Sequence, residues 1–180
     1  NIREGYEWNK TEGIDLNMNE LNSIVKSNPL SKCNREFSEV IPIEPLKEIT
    51  FNKYISTQEA FGKVMNEIGK VNNSFTNRII TTSPDVTVST SLGGWVNKKN
   101  IFSTHKKNDI FGEKKVFSSQ KWKYVPDGQH IELGIAENNL FLLLASSGIS
   151  DKLFGKRILP VGTIYDTFIG RGLDALNYAT

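Results

Sequence analysis

The residue best suited to acid–base chemistry is Glu137, within the segment HIELGIAENNLFLLLASSGIS, residues 130–150. Before it, apolar residues alternate over His130–Ile135 as in a buried strand, with a break at Gly134. From Ala136 to about Ser147 the sequence predicts a helix that is apolar all round and should therefore be buried. A carboxylate thus stands at the junction of two apolar elements.

Two interpretations of Glu137 differ in whether its side chain is buried. A carboxylate in the first turn of a helix gains only about 0.3–1 kcal/mol from the helix dipole, whereas burying an unpaired ion costs several kcal/mol. A buried Glu137 therefore needs a hydrogen-bonding partner or a shared proton. Residue type alone favours an exposed position, since Glu is rarely fully buried. The position in the sequence favours a buried acid, because open α/β sheets bind ligands at the carboxyl ends of parallel strands.

Three further residues follow predicted strands and are candidates for the same site. Tyr165 and Phe168 are three apart, a spacing that places both rings on one side of a helical turn, either in the core or as a platform for a flat ring. Asp85 follows Pro84, where capping of the turn by its side chain is the favoured role. The alternative is that Asp85 points its carboxylate into a cleft.

Other candidate motifs are weaker. Gly93 and Gly94 fit neither GxGxxG nor a Walker loop, so a flexible turn is expected there. His105 and His130 are the only histidines, too few for a metal cage, and no GxSxG nucleophile motif occurs. The lysine-rich segment 98–115 lacks interleaved stacking aromatics and is interpreted as a solvated surface. No metal site within the chain and no nucleic-acid partner are predicted.

The predicted elements alternate between helices and strands. Thr57 is the expected N-cap of the amphipathic helix QEAFGKVMNEIGKV, and RIITTSPDVTVST predicts a strand that ends in a turn. Residues 92–129 form a long connection that is expected to be functional or mobile. The segment RILPVGTIY predicts the last strand, and a final helix is expected from about Asp166. This order is typical of a parallel α/β sheet.

Length and composition limit the class of protein. With 180 residues and 38% hydrophobic content, the chain can bury the core of one domain. Its 22 basic and 20 acidic residues give a net charge of only +2, too small to attract nucleic acid or a membrane surface to the chain as a whole. Cys33 is the only cysteine, which excludes an internal disulfide and favours a reducing compartment, the cytoplasm. No window reaches the about 20 apolar residues of a membrane span, so no membrane partner is predicted.

The chain is expected to be a fragment of a longer protein. Residues 1–50 are rich in polar residues and prolines, which predicts an irregular interdomain linker before a domain at 51–180. The sequence starts at Asn1 without a signal pattern, and its end, RGLDALNYAT, predicts a helix with no stop signal after it.

Four segments resemble, in order, the pyrimidine-binding, transketolase-like domain of thiamine-diphosphate enzymes: STQEAFGKVMNEI, SPDVTVSTSLGGWVNKKNIF, GQHIELGIAENNL and RILPVGTIYDTFIGRGLDALNYA. The likeness covers about Ile55 to Thr180, and is greatest to the homodimeric decarboxylating component of the pyruvate dehydrogenase complex. It implies a three-layer α/β fold, a parallel sheet with helices on both faces, truncated here at its carboxyl end.

The resemblance also implies roles for individual residues. Glu137 occupies the position of the glutamate that ends the family's Gly-Ile-x-Glu motif and hydrogen-bonds N1′ of the cofactor's aminopyrimidine ring. Tyr165 and Phe168 match aromatic residues around that ring. Asp85 matches an acid near the thiazolium ring or the substrate, although Val86 departs from the acidic pair of the best-known pyruvate enzymes. The family's Gly-Asp-Gly motif for the diphosphate and Mg²⁺ does not occur in this sequence, so another domain is expected to hold both.

The function implied by the resemblance is half of the active site of a pyruvate-type 2-oxoacid dehydrogenase, which acts on a small-molecule 2-oxoacid. The implied partners are a second subunit in a homodimer and a lipoyl-bearing acyltransferase, and the fragment alone is expected to be inactive. Two alternatives stay open: a transketolase-type ketol transferase, and a non-catalytic assembly module with the same fold. Flanking sequence would separate them, through phosphate-binding His and Arg residues in the first case and a missing Gly-Asp-Gly motif in the second.

Overall fold

The computed structural model describes residues 4–5, 17–28, 31, 40–43, 45, 48–51, 54–105, 107 and 117–179. The helices in these ranges are α1 (Met18–Ser27), α2 (Thr57–Gly69), α3 (Gly93–Lys99), α4 (Glu137–Gly148), α5 (Ser150–Phe154) and α6 (Leu173–Ala179). The strands are β1 (Ile79–Ser83), β2 (Ile101–Phe102), β3 (Tyr124–Val125), β4 (His130–Glu132) and β5 (Leu159–Gly162). Short 3-10 helices occur at Thr76–Arg78 and Asp166–Gly172.

The five strands form one sheet in the order β3-β2-β4-β1-β5, and every pair of neighbours is parallel. β1 lies between β4 and β5, with Ser83 opposite Glu132 on one side and Thr82 opposite Gly162 on the other. The parallel α/β sheet predicted from the order of elements is therefore confirmed.

Helices cover both faces of the sheet. On one face, Ile79 of β1 belongs to the buried core that α2 and α3 form with the sheet, a cluster of Met65, Ile68, Ile79, Leu92, Trp95, Val96 and Ile101. On the other face, a Cβ placed on Gly162 would meet Leu140 and Leu144 of α4. Successive strand residues point to opposite faces, so Ile79 and Thr82, which pairs with Gly162, face different helical layers.

Helix α2 begins one residue away from the predicted position. The backbone of Ser56 is extended, and its side chain accepts a hydrogen bond from the backbone N–H of Glu59 at 3.1 Å. Ser56 is thus the N-cap, and the prediction of Thr57 is wrong because Thr57 is already helical. Serine and threonine are both good caps by type, and the backbone conformation decides between them.

The long connection predicted at residues 92–129 is wrong in part, because this stretch contains α3, β2 and β3. Gly93 and Gly94 form the first turn of α3 rather than a flexible turn. A Cβ on Gly94 would lie 2.8 Å from the side-chain oxygen of Asn66 in α2. The glycine therefore serves the close approach of two packed helices.

Helix α4 is not buried all round, contrary to the prediction. Leu140 and Phe141 are 1% and 6% exposed, whereas Leu142 on another side of the helix is 45% exposed. Only one side of α4 packs on the sheet and the segments after it, so composition alone overestimated its burial.

Two other predicted boundaries differ from the structure. β4 ends at Glu132, before Ile135, because Gly134 has a φ of +64° and turns the chain away from the sheet. The final α-helix begins at Leu173 rather than near Asp166, after the 3-10 helix Asp166–Gly172. Within the predicted linker, the structure describes α1, which has no buried residue and a capping box between Asn17 and Glu20.

Candidate functional site

The candidate residues lie at one edge of the sheet, in the segments that follow three adjacent strands. Asp85 follows β1, Glu137 follows β4 and Tyr165 follows β5, each by two to five residues. β4, β1 and β5 are neighbours and parallel, so their carboxyl ends meet at the same edge. The structure thus brings together the loops that the sequence analysis selected, at the kind of edge where open α/β sheets bind ligands.

Glu137 is buried, with 6% of its surface exposed, although it is the first residue of α4. Its Oε1 accepts a hydrogen bond from Nη1 of Arg171 at 3.0 Å. The helix has no side-chain cap, because its N-cap is Ala136. The energetic argument from the sequence required a partner for a buried Glu137, and the structure supplies Arg171, which the sequence analysis did not identify.

Arg171 also connects Glu137 to the two aromatic candidates. The ring centroids of Tyr165 and Phe168 are 6.1 Å apart at an interplanar angle of 48°, and the guanidinium carbon of Arg171 lies 4.2 Å from the Phe168 centroid. Tyr165 is 40% exposed, so it is not a core residue. The buried carboxylate and the half-open ring pair form a surface suited to a flat ring that carries a hydrogen-bond donor.

Replacing Arg171 by Met is expected to destabilise the protein by about 1–2 kcal/mol, because Glu137 would stay buried without its ionic partner. The expected loss is no larger because the Arg171 side chain is 55% exposed and water screens the pair. The measurement is the urea midpoint of the full-length protein. Lys63→Met is the matched control, because it removes an ion pair between Lys63 and Glu59, in which both side chains are about half exposed. It should lower the free energy of unfolding by less than about 0.5 kcal/mol. Equal shifts in the two variants would contradict a buried role for the Arg171 pair.

The turn after β1 holds Asp85 in the left-handed region, at a φ of 60°. Its backbone N–H donates to Oε1 of Glu132 at 2.8 Å. The sequence analysis favoured turn capping by the Asp85 carboxylate, whereas the carboxylate that the structure places on this turn comes from Glu132 in the neighbouring strand.

A buried polar network lies behind this turn, on the face of the sheet that α2 and α3 cover. His130 is fully buried, with Nδ1 2.9 Å from Oγ1 of Thr81 and Nε2 2.9 Å from Oγ1 of Thr87. Thr87 Oγ1 is also 2.7 Å from Oγ of Ser83 and donates to Oε2 of Glu132 at 2.5 Å. Thr81 and Ser83 of β1 and His130 of β4 therefore place polar rather than apolar groups in the interior.

Burial raises the pKa of the Glu132 carboxyl, but His130, whose Nε2 lies 3.5 Å from Oε2, and hydrogen bonds from Thr87 and the Asp85 N–H outweigh it and leave this pKa below its usual value. The network therefore favours the ionised carboxylate of Glu132.

Sequence reasoning missed this network because it considered His130 only as a metal ligand. A signal was present: His130 and Glu132 are two apart in a strand, so both face the same side, and hydroxyl residues precede and follow Asp85.

Within the described ranges, no group of three or more His, Cys, Asp or Glu residues could hold a metal ion. Two other features of the sequence lie outside the described residues. They are Cys33 and most of the lysine-rich segment after His105.

Comparison with known proteins gives no identification. No protein-family model matches the chain, and no curated protein matches it. Among the described residues, no helix has the length and apolar character needed to cross a membrane.

Proposed function

We propose that this chain supplies the aminopyrimidine-binding half of the active site of a thiamine-diphosphate-dependent 2-oxoacid dehydrogenase, with pyruvate as the substrate. The observation that carries the proposal is the buried Glu137 beside Tyr165 and Phe168 at the carboxyl edge of a parallel sheet. The four sequence segments that resemble the family's pyrimidine domain support the same assignment.

The residues of this edge fit an aminopyrimidine ring by their chemistry. Within the described part of the chain, Arg171 binds Oε1 of Glu137, which leaves Oε2 for a ligand. A buried carboxylate is stabilised by a neighbour that shares a proton with it away from water, and a ring nitrogen of the aminopyrimidine would be such a neighbour for Oε2. Tyr165 and Phe168 offer ring faces and edges beside it.

When bound, thiamine diphosphate supplies the electron sink that 2-oxoacid decarboxylation requires. The role of this chain is to hold a proton at Glu137 Oε2 and to orient the aminopyrimidine ring. Burial of Glu137 excludes water from this contact and strengthens it. Asp85, at the neighbouring strand end, is assigned to the substrate side of the site. The diphosphate and Mg²⁺ are assigned to another domain, in a homodimer that acts in the cytoplasm with a lipoyl-bearing acyltransferase.

The test is cofactor binding and turnover by the full-length protein. It should bind thiamine diphosphate with Mg²⁺ in a calorimetric titration and decarboxylate pyruvate with an artificial electron acceptor. Turnover of a ketose phosphate in place of pyruvate would support the ketol transferase instead. A protein that binds no thiamine diphosphate would rule out both activities.

The second candidate is a non-catalytic assembly module, and one observation favours it. Arg171 of the same chain already forms an ion pair with Glu137, so the buried carboxylate does not need a cofactor to compensate its charge. Normal assembly of the full-length protein, without any binding of thiamine diphosphate, is the result that this candidate requires.

A further inference from the structure

The backbone of Asp85 is in a conformation that few residues with a side chain adopt. Its φ of 60° lies in the left-handed region, where Asp is tolerated better than most residues but is still disfavoured relative to Gly. Surrounding structure must therefore hold this residue in place, and residues held in this way concentrate at functional sites.

Glu132 provides the constraint from the neighbouring strand. It is the last residue of β4, opposite Ser83 at the end of β1, so its backbone is fixed by the sheet. From this position Oε1 reaches the N–H of Asp85 at 2.8 Å. The loop is thereby tied to a rigid element at its first residue after the proline.

The Glu132 carboxylate is itself fixed by a directed chain of hydrogen bonds. Thr87 gives its one hydroxyl proton to Oε2 of Glu132, so it must accept from its other two neighbours, Ser83 Oγ and His130 Nε2. His130 therefore carries a proton on Nε2, and its Nδ1 faces the Thr81 hydroxyl at 2.9 Å. His130 and Ser83 are fully buried and have no alternative partners in water, whereas the Glu132 side chain at the end of this chain of groups is 24% exposed.

We propose that Glu132 is a positioning residue that sets the place of Asp85 at the mouth of the site, with Thr87 and His130 fixing its carboxylate. The proposal rests on the proposed function for its effect on turnover, because Asp85 is assigned there to the substrate side. Its structural part, that Glu132 holds the Asp85 backbone, is independent of any activity.

The structural part is tested by amide hydrogen exchange of the full-length protein, resolved at Asp85. Glu132→Ala removes the acceptor and should accelerate exchange of the Asp85 N–H by about tenfold or more relative to Thr82 in β1. Glu132→Gln keeps an oxygen that can accept from Asp85 but puts an amide NH2 group where Oε2 accepts from Thr87, so its exchange at Asp85 should lie between the wild type and Glu132→Ala. Unchanged exchange at Asp85 in Glu132→Ala, or an acceleration no larger than that at Thr82, would overturn the proposal.

A second pair of variants keeps the test decisive should Glu132→Ala fail to fold. Thr87→Val removes the hydroxyl that fixes the carboxylate and should also speed exchange at Asp85, whereas Thr87→Ser keeps the hydroxyl and should restore protection. Equal exchange at Asp85 in these two variants would contradict the part assigned to Thr87.

The functional part is tested by separating substrate from cofactor effects. In Glu132→Ala the KM for pyruvate should rise about tenfold, while the Kd for thiamine diphosphate stays within about twofold, and Glu132→Gln, which keeps the acceptor for Asp85, should recover part of the loss. Equal losses in both constants would indicate a general structural role and overturn the assignment. Failure of the proposed function would show itself differently, as a wild-type protein without turnover in which the exchange results at Asp85 still hold.

Discussion

Under the proposed function, replacing Glu137 by Gln is expected to lower 2-oxoacid decarboxylation by about 10²–10⁴-fold in the full-length protein, with its fold intact. Gln has the shape of Glu, and its amide oxygen can still accept from Arg171, so the buried contact at 3.0 Å can persist. What the amide lacks is the ability to take and return a proton at the ligand-facing atom. Catalysis should therefore fall much further than stability.

The measurement is turnover of pyruvate with an artificial electron acceptor at saturating thiamine diphosphate, together with a thermal melt. Glu59→Gln is the matched control, because Glu59 pairs with Lys63 on the surface of α2 and its side chain is 52% exposed. That variant should retain turnover within about twofold, as expected for a surface change. Near-normal activity of Glu137→Gln would remove Glu137 from the chemistry.

The second large effect is expected in α2, where Gly62→Ala should destabilise the protein by about 2–3 kcal/mol. A Cβ on Gly62 would lie 2.5 Å from Cβ and 2.6 Å from the carbonyl oxygen of Ser91. Ser91 cannot easily retreat, because its own backbone is held at a φ of 65° just before α3. Helix propensity alone predicts the opposite sign, a gain of up to about 1 kcal/mol.

Gly93→Ala provides the comparison that separates these two effects. Gly93 is also helical, but a Cβ placed on it would meet no atom within 4 Å. We expect Gly93→Ala to be neutral or slightly stabilising in urea unfolding of the full-length protein. A loss of stability in Gly93→Ala as large as in Gly62→Ala would show that contact with Ser91 is not responsible.

The sheet and its loops could be predicted because they depend on local pattern. The β-branched run at Ile79–Thr82 and the alternation predicted over His130–Ile135, of which His130–Glu132 is strand, indicate strands through side-chain periodicity, which a sequence displays directly. The location of Asp85, Glu137 and Tyr165 at one edge followed from the parallel order alone. Their chemical roles remain proposals.

The partners of the candidate residues could not be predicted, because they depend on contacts between distant segments. Arg171 meets Glu137 across 34 positions, and Glu132 meets Asp85 across 47. Nothing in a local window indicates that such residues come together. The exposed side of α4 escaped prediction for the same reason, since burial depends on which elements pack against a helix.

Strand β1 changes character along its length, and this has a consequence for engineering. It starts with Ile79 in the apolar core and ends with Thr81, Thr82 and Ser83, whose side chains bond His130, the Ile131 carbonyl and Thr87. Substitutions near the start of β1 should change the free energy of unfolding. Isosteric substitutions near its end, such as Thr to Val, should instead change the orientation of the loops at the site edge. A single strand of five residues thus contains one region for tuning stability and another for tuning specificity.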